Sequence, residues 1–347
     1  MRVLVTGATG FIGWHAAARL AASGHAVRAL VRDANKGRRV LAPIGVSAAD
    51  LVVGDMTDAA AVARALDGCD AALHAAAAVS VTRPGAGDAF DANVTGTRLV
   101  VGGACERGLR QVVFVSSLTA IFDPRREITA DSPLARAESR YGRSKVESDR
   151  FARKCAAAGC PVAIVYPSGV VGPDDPGFSE SVRAYRGFLR GTLRSSGGNQ
   201  FVDARDLAEL LARLLERGVR GRVVAAGHFF PWDEFTALFE SVSGARIRRI
   251  SAPGWLLRAA GRAADVWSRL RGTSFPISGE GMAIATRWTR IADSPAVAEL
   301  GVRWRDPHQT IEDMLRWFLA TGRIPARAAP RLAGSAPPAA SRPGAFG

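Results

Sequence analysis

The chain has 347 residues, 48% hydrophobic and 22% charged, with a formal net charge of +14. That size and balance exclude a disordered chain and fit one full doubly wound domain with a smaller second one, while no apolar run reaches the roughly twenty residues that cross a bilayer. Most of the excess charge lies in two stretches: seven arginines against one acid from Arg246 to Arg271, and four arginines with no acid from Arg323 onward. The rest has no basic stripe with interleaved aromatics, so a nucleic-acid role is not expected. Cys69, Cys105, Cys155 and Cys160 make no C-x-x-C pair and have no histidine cluster beside them. They read as small buried apolar residues of a reducing compartment, with no metal site and a cytoplasmic location.

Val3, Leu4 and Val5 are the continuous apolar run of a strand buried on both faces, and they lead into three glycines spaced by three before a helix over about 11–23. Gly7 permits a tight turn, Gly10 lets the backbone approach a pyrophosphate, and Gly13 allows close helix packing; Thr9, Phe11 and Ile12 share the same loop and helix start. The stretch predicts a dinucleotide cradle. A second strand, Ala26 to Val31, ends in Arg32, with Lys36, Arg38 and Arg39 behind it. An arginine at this place accommodates the 2′-phosphate of NADP, whereas an acid binds the ribose of NAD, so Arg32 favours NADP and the neighbouring Asp33 leaves NAD possible.

Further strands are predicted near 50–53, over 71–74 and over 111–115. The fourth ends at His74, expected to be a packed strand-end residue, and is followed by Ala75, Ala76 and Ala77, small enough for close cofactor approach. The fifth delivers Ser116 and Ser117 at its carboxyl end, where open α/β sheets bind ligands. Tyr141 and Lys145 then stand one helical turn apart on one face. At roughly 6 Å and an effective dielectric of about 20, the ammonium would favour phenolate by on the order of 3 kcal/mol, about two pKa units, enough for proton transfer.

The segment Thr6-Gly-Ala-Thr-Gly-Phe-Ile-Gly13, with Tyr141-Gly-Arg-Ser-Lys145 behind the fifth strand, resembles the extended short-chain dehydrogenase/reductase superfamily over roughly residues 1 to 323. The resemblance implies a Rossmann fold and a Ser-Tyr-Lys mechanism. Ser117, or Ser116 if the strand register is off by one, would hydrogen-bond the substrate carbonyl. Tyr141 would exchange the proton, and Lys145 would lower the tyrosine pKa and hold the nicotinamide ribose. Asn93, in Asn93-Val-Thr-Gly-Thr97, would brace the sheet and hold the proton-relay end. Asp55, followed by Met56, would bind the adenine amino group, and Ala75, Ala76 and Pro167 would border the nicotinamide half. A homodimer through paired long helices is also implied.

Cys160 to Tyr166 reads as a sixth strand. There the chain departs from nucleotide-sugar enzymes of the resembled superfamily: Tyr166-Pro167 stands for Arg-Pro, and Asn199-Gln200-Phe201-Val202-Asp203 lacks the arginine expected before Val-Asp. Losing guanidinium forks weakens a diphosphate grip. The pattern looks more like the branch with dihydroflavonol reductases, cinnamoyl-CoA reductases and 3β-hydroxysteroid dehydrogenases. Phe201 to Asp206 is predicted to open a helix to about Glu216, with Asp203 or Asp206 at its N-terminal end, and Arg222 to Ala226 a strand; both would rejoin the first domain. Residues 253–271 form an amphipathic helix, with Trp255, Leu256, Trp267 and Leu270 on one face and Arg258, Arg262 and Arg269 on the other, either a lid packed over the pocket or a weak contact with anionic lipid. Phe178, Phe188, Trp232, Trp255 and Trp267 are candidates for an apolar pocket wall. From 324 the composition predicts a disordered tail.

The expected protein is α/β: a Rossmann domain over 1–165, then a smaller, mostly helical substrate region over 166–323 with segments near 201–226 returning to the sheet. The expected activity interconverts a ketone or aldehyde and an alcohol on an apolar small molecule with NADP(H). The alternatives are a nucleotide-sugar epimerase or dehydratase holding NAD and, less favoured, a non-catalytic NADP sensor.

Overall fold

The computed structural model describes residues 1–78, 89–137, 139–271 and 279–334. Six strands alternate with helices through the first half: β1 (Arg2–Thr6), α1 (Phe11–Ala22), β2 (Ala26–Val31), α2 (Ala34–Leu41), β3 (Leu51–Val53), α3 (Ala59–Leu66), β4 (Ala71–His74), α4 (Ala89–Thr97), α5 (Gly103–Glu106), β5 (Gln111–Val115), α6 (Arg140–Ala157) and β6 (Val162–Pro167). The second half adds β7 (Gly169–Val171), α7 (Glu180–Phe188), β8 (Thr192–Arg194), β9 (Gly198–Asp203), α8 (Ala204–Arg217), β10 (Gly221–Ala225), β11 (His228–Pro231), α9 (Trp232–Ser243), β12 (Arg249–Ser251) and the helices α10 (Gly254–Arg271), α11 (Gly279–Arg287), α12 (Pro295–Glu299) and α13 (Pro307–Ala320).

The main sheet is seven-stranded in the order β10-β6-β5-β4-β1-β2-β3, with all pairings parallel. Helices cover both faces, so strand side chains alternate between two cores. Val3 and Val5 join the core beneath α1 and α8, whereas Leu4 between them faces the core of α3 and the segment around Val100. In β5, Val113 and Val115 face the first core and Val112 and Phe114 the second. The order reverses between β1 and β4, and the crevice outside their carboxyl ends is where such sheets hold ligands.

The second half is partly stitched onto this sheet and partly stands beside it. β10 completes the sheet next to β6, while β9 pairs with β7 and β11 in a separate three-stranded sheet. Phe201 to Asp203 are therefore strand, not the helix start expected from sequence; α8 begins at Ala204, capped by Asp203, whose carboxylate accepts from the Arg205 amide at 2.8 Å. The strong apolar content of Phe201 and Val202 serves the sheet because both are fully buried. Asp206 accepts three hydrogen bonds from Arg305, from its amide at 2.7 Å and its guanidinium at 2.9 and 2.6 Å, fastening the last segment to α8.

Two further expectations give way. Residues 324–334, taken as part of a disordered tail, pack onto the first core through Ile324, Ala329 and Leu332; residues 335–347 lie outside the described residues. Cys105 and Cys160, taken as free, form a disulfide that ties α5 to the turn before β6, while Cys69 and Cys155 are free. The two partners are 55 residues apart and meet only because α5 and that turn are neighbours in space.

Candidate active site

The glycine loop fits a pyrophosphate on steric grounds. Gly7 has φ +73°, and a Cβ there would come within 2.7 Å of the Ala76 amide, so the loops after β1 and β4 touch through backbone alone. A Cβ at Gly13 would sit 2.2 Å from the Gly7 carbonyl oxygen, which presses α1 directly onto the turn. Gly10 is the N-cap of α1 and supplies no capping side chain, so the first-turn amides of Phe11, Ile12 and Gly13 are offered to an anion rather than to the chain. Thr9 lies in the same turn. Beneath the cradle, His74 is held between the hydroxyls of Thr6, at 2.7 Å, and Thr97, at 3.3 Å. Burial pushes it down to about 3, so it is a neutral strut and not a base.

At the end of β2 the carboxylate of Asp33 accepts from the amides of Asn35 and Lys36 at 2.8 and 3.0 Å, capping α2. Arg32 beside it is exposed and has no carboxylate within ion-pair distance among the described residues. Asp55 accepts from the amide and hydroxyl of Thr57 at 2.9 and 2.8 Å, which shapes the turn after β3. Met56 packs against Gly96, where any side chain would collide with its thioether. Ala75 and Ala76 are partly buried behind Gly7, and Pro167 ends β6 fully enclosed.

The two serines after β5 separate cleanly. Ser116 is buried and donates to Asp149 at 2.7 Å, within a cluster where Asp149 also binds Arg153 at 2.6 Å and the Tyr166 hydroxyl at 3.1 Å. Ser117 instead shares a hydrogen bond with the Thr119 hydroxyl, and Thr119 lines a cavity. The sequence reading missed both Thr119 and this cluster. Lys145, Asp149 and Arg153 stand at successive four-residue steps on α6, a spacing that was readable in advance.

Helix α6 starts at Ser139, whose hydroxyl accepts from the Gly142 amide at 2.8 Å. It stacks the Lys145 ammonium 5.8 Å from the Tyr141 ring centroid. The expected depression of the phenol is not present: burial pushes Tyr141 up to about 12, and Glu180 and Glu280 add to the rise. Lys145 has itself been pushed down to about 8 by burial, against a smaller opposing pull from Asp149. Lys145 is 7% exposed and has no hydrogen-bond acceptor among the described residues. Left without an acceptor on a largely buried side chain, the ammonium suits the ribose hydroxyls of a nicotinamide cofactor. The Tyr141 hydroxyl is likewise without a protein hydrogen bond there, and none joins it to Ser117.

Asn93 is fully engaged as a brace. Its amide accepts from the Ala78 amide at 2.7 Å and donates to the Ala78 carbonyl at 3.0 Å and to Ser144 at 3.1 Å, joining the loop after β4 to α6. It secures the backbone around Tyr141.

Beside these groups opens a cavity of ≈ 830 Å³ between the 119–137 loop and the helices α10 and α11. The aromatic wall expected from sequence is elsewhere: Phe188 and Trp232 belong to the core, Phe178 packs against Trp317 and Phe318, and Trp255 and Trp267 are 65% and 50% exposed. Helix α10 does border the cavity, but with Arg258 and Arg262, while Trp255, Leu256, Val266 and Trp267 stand exposed and Ala264 is buried. The side chains of Arg269 and Leu270, assigned to its two faces, lie outside the described residues. Where sugar enzymes would place arginines, Tyr166 belongs to the Asp149 cluster and Asn199 accepts from the Tyr185 hydroxyl at 2.6 Å.

A parallel sheet with an open glycine cradle at its switch point and a Tyr-Lys pair on the adjacent helix defines a nicotinamide-dinucleotide enzyme. The signature of the NAD dependent epimerase/dehydratase family matches residues 3–227, and the chain belongs to that family as an NAD(P)-dependent oxidoreductase. It is 29% identical over 336 residues to the sterol demethylase protein B of Methylococcus capsulatus, covering 93% of this chain and 100% of that one. It is also 29% identical over 334 residues to a putative dihydroflavonol 4-reductase of Synechocystis sp., covering 92% and 95%. Among solved structures, gox2253 superposes with a TM-score of 0.77 at 26% identity, covering 93% of this chain and 99% of that one.

Proposed function

We propose that the protein interconverts a ketone or aldehyde and an alcohol on a largely apolar small molecule, using NADP(H) in preference to NAD(H). The observation that carries this reading is the Tyr141–Lys145 stack, with a hydroxyl and an ammonium one turn apart that make no hydrogen bond among the described residues, beside a cavity that Thr119 lines. The cofactor supplies or accepts hydride. The chain's own part is to hold the reacting carbonyl and manage one proton: Ser117 positions the oxygen, Tyr141 exchanges the proton at that oxygen, and the charge on Lys145 opposes the cost of leaving Tyr141 anionic. Relatives named for a sterol and a dihydroflavonol favour a ring-bearing substrate.

The NADP preference is supported by the neighbourhood of Arg32. Asp33 is spent on the α2 cap, so it does not offer its carboxylate to a ribose hydroxyl, while Arg32 stays available for a 2′-phosphate. Monitoring NADPH absorbance across a panel of aryl and polycyclic ketones tests the activity. Turnover is expected with NADPH and weaker with NADH; epimerisation of a nucleotide sugar without net cofactor turnover would replace this reading with its rival.

A cytoplasmic location rests on the use of a soluble nicotinamide cofactor. The Cys105–Cys160 bridge counts against a reducing compartment, and acid-quenched thiol labelling in cell extracts decides between them. Trp255, Leu256, Val266 and Trp267, all exposed on α10, support a weak contact with anionic membranes. Co-sedimentation with phosphatidylglycerol vesicles, lost on Trp255→Ser with Trp267→Ser, is the expected result; no co-sedimentation of the parent chain rejects the contact.

A further inference from the structure

The cavity beside the catalytic helix carries far more charge than an apolar substrate needs. Six arginines line it: Arg125, Arg126 and Arg136 from the loop after β5, Arg258 and Arg262 from α10, and Arg287 from α11. Among the described lining residues two carboxylates accompany them, Asp123 and Glu280, and both have other business. Asp123 lies 3.6 Å from Arg126, and Glu280 accepts from the Ser139 amide at 2.7 Å, just ahead of Tyr141. Arg258 donates to the Thr286 hydroxyl at 2.9 Å. Arg125, Arg136, Arg262 and Arg287 have no carboxylate within ion-pair distance among the described residues.

Four guanidinium groups from three separate segments, none in an ion pair among the described residues, border one concavity, with Asp265 the carboxylate standing near Arg262. Like charges gathered in a cleft repel one another and focus a positive field, an arrangement that is relieved by an anion. The remainder of the lining is apolar, with Phe122 stacked 4.9 Å from Trp288 and with Leu134 and Ile284 on facing segments. An apolar floor with a guanidinium rim matches an amphipathic ligand and not a plain hydrocarbon or a plain sugar.

We propose that the substrate of this oxidoreductase carries an anionic oxygen group, a carboxylate or a phosphate, attached to its apolar body, and that Arg258, Arg262 and Arg287 receive that group while the carbonyl lies toward Thr119 and Tyr141. This rests on the oxidoreductase reading of the same cavity. It also accounts for the lack of arginine near Tyr166 and Asn199: anion recognition falls to α10 and α11 instead.

The test is a matched set of aryl ketones: 4-acetylbenzoate, its methyl ester and 4-acetylphenyl phosphate. Reduction by NADPH is followed at low and high salt, and binding of each ketone is measured separately by calorimetry. The expected kcat/KM of at least one anionic ketone exceeds that of the ester by about tenfold or more, mainly through KM, and the gap narrows as salt rises. Whether benzoate or phosphate gains more identifies the anionic group. Arg262→Gln with Arg287→Gln, checked for an unchanged melting profile, should bring the anionic and neutral ketones to within about twofold of each other. Equal kcat/KM for the ester and both anions in the parent chain, or an advantage that survives the double substitution, overturns the proposal and leaves the oxidoreductase reading standing. Arginine-dependent binding of the anions with no turnover of any ketone does the reverse.

Discussion

The cofactor half and the substrate half of this molecule are built on opposite terms. Around the β1–α1 turn the site is made of backbone: Gly7 and Gly13 lack side chains because neighbouring peptide groups occupy that space, and the anion would meet amides. Across the cavity the site is made of long side chains from the 119–137 loop, α10 and α11, and more than a hundred residues of sequence separate the loop from the two helices. A backbone site tolerates almost no substitution but makes few distinctions beyond the pyrophosphate. A side-chain site is easily altered and holds the selectivity. Tyr141 and Lys145 on α6 stand at the seam, with Lys145 toward the sheet and Glu280 of the cavity wall close enough to raise the phenol.

The largest effect is expected at that seam. Tyr141→Phe should lower turnover by roughly two to four orders of magnitude while NADPH affinity stays nearly unchanged, because the ring is kept and only the hydroxyl is lost. Comparing kcat with cofactor binding by fluorescence titration checks this; retention of most of the activity would remove Tyr141 from the chemistry.

Next, Lys145→Met tests whether the buried ammonium is kept against stability. The folded pKa of about 8 lies below the unfolded value of 10.5, so the unfolded chain binds more protons between those values. Stability therefore rises as pH goes from about 8 to about 10.5, and the penalty is fully present at pH 7. The methionine variant should be more stable than the parent at pH 7 by on the order of 2 to 3 kcal/mol and lack that rise, while losing activity. Urea unfolding across the pH range measures it, and a variant less stable at pH 7 contradicts the burial argument.

Gly13→Ala probes the backbone side. With the Gly7 carbonyl 2.2 Å from the new Cβ, α1 must move, at a cost of roughly 1 to 3 kcal/mol, and cofactor affinity should fall with it. Unfolding of the cofactor-free chain separates the two effects; an unchanged midpoint means the helix does not pack as closely as described.

The smallest expected effects distinguish neighbours at the end of β2. Arg32→Ala should weaken NADPH by about tenfold and leave NADH alone, one charge-assisted contact's worth. Asp33→Ala should instead cost about 1 kcal/mol of stability as a lost cap, with no gain or loss of discrimination between the two cofactors. If Asp33→Ala selectively weakened NADH, its carboxylate would be reaching a ribose after all.

The sequence by itself determined the parts whose physics is local. Strand periodicity and glycine spacing placed β1, β2, β4 and β5 correctly, because a strand buried on both faces must be continuously apolar and a turn with φ +73° needs glycine. The four-residue step from Tyr141 to Lys145 likewise put both side chains on one helical face without reference to anything distant. The tertiary structure alone decided what depends on distant segments meeting. Phe201 to Asp203 became strand because β7 and β11 are there to pair with it. Cys105 found Cys160 across 55 residues, and the tail after Ile324 found a core to pack on. The sign of the Tyr141 shift reversed because burial, with two carboxylates from α7 and α11, sets it. Helix α10 shows the same limit: periodicity reveals that it has an arginine face and a tryptophan face, but which of them meets the cavity depends on what the opposing segments present, and the cavity took the arginines.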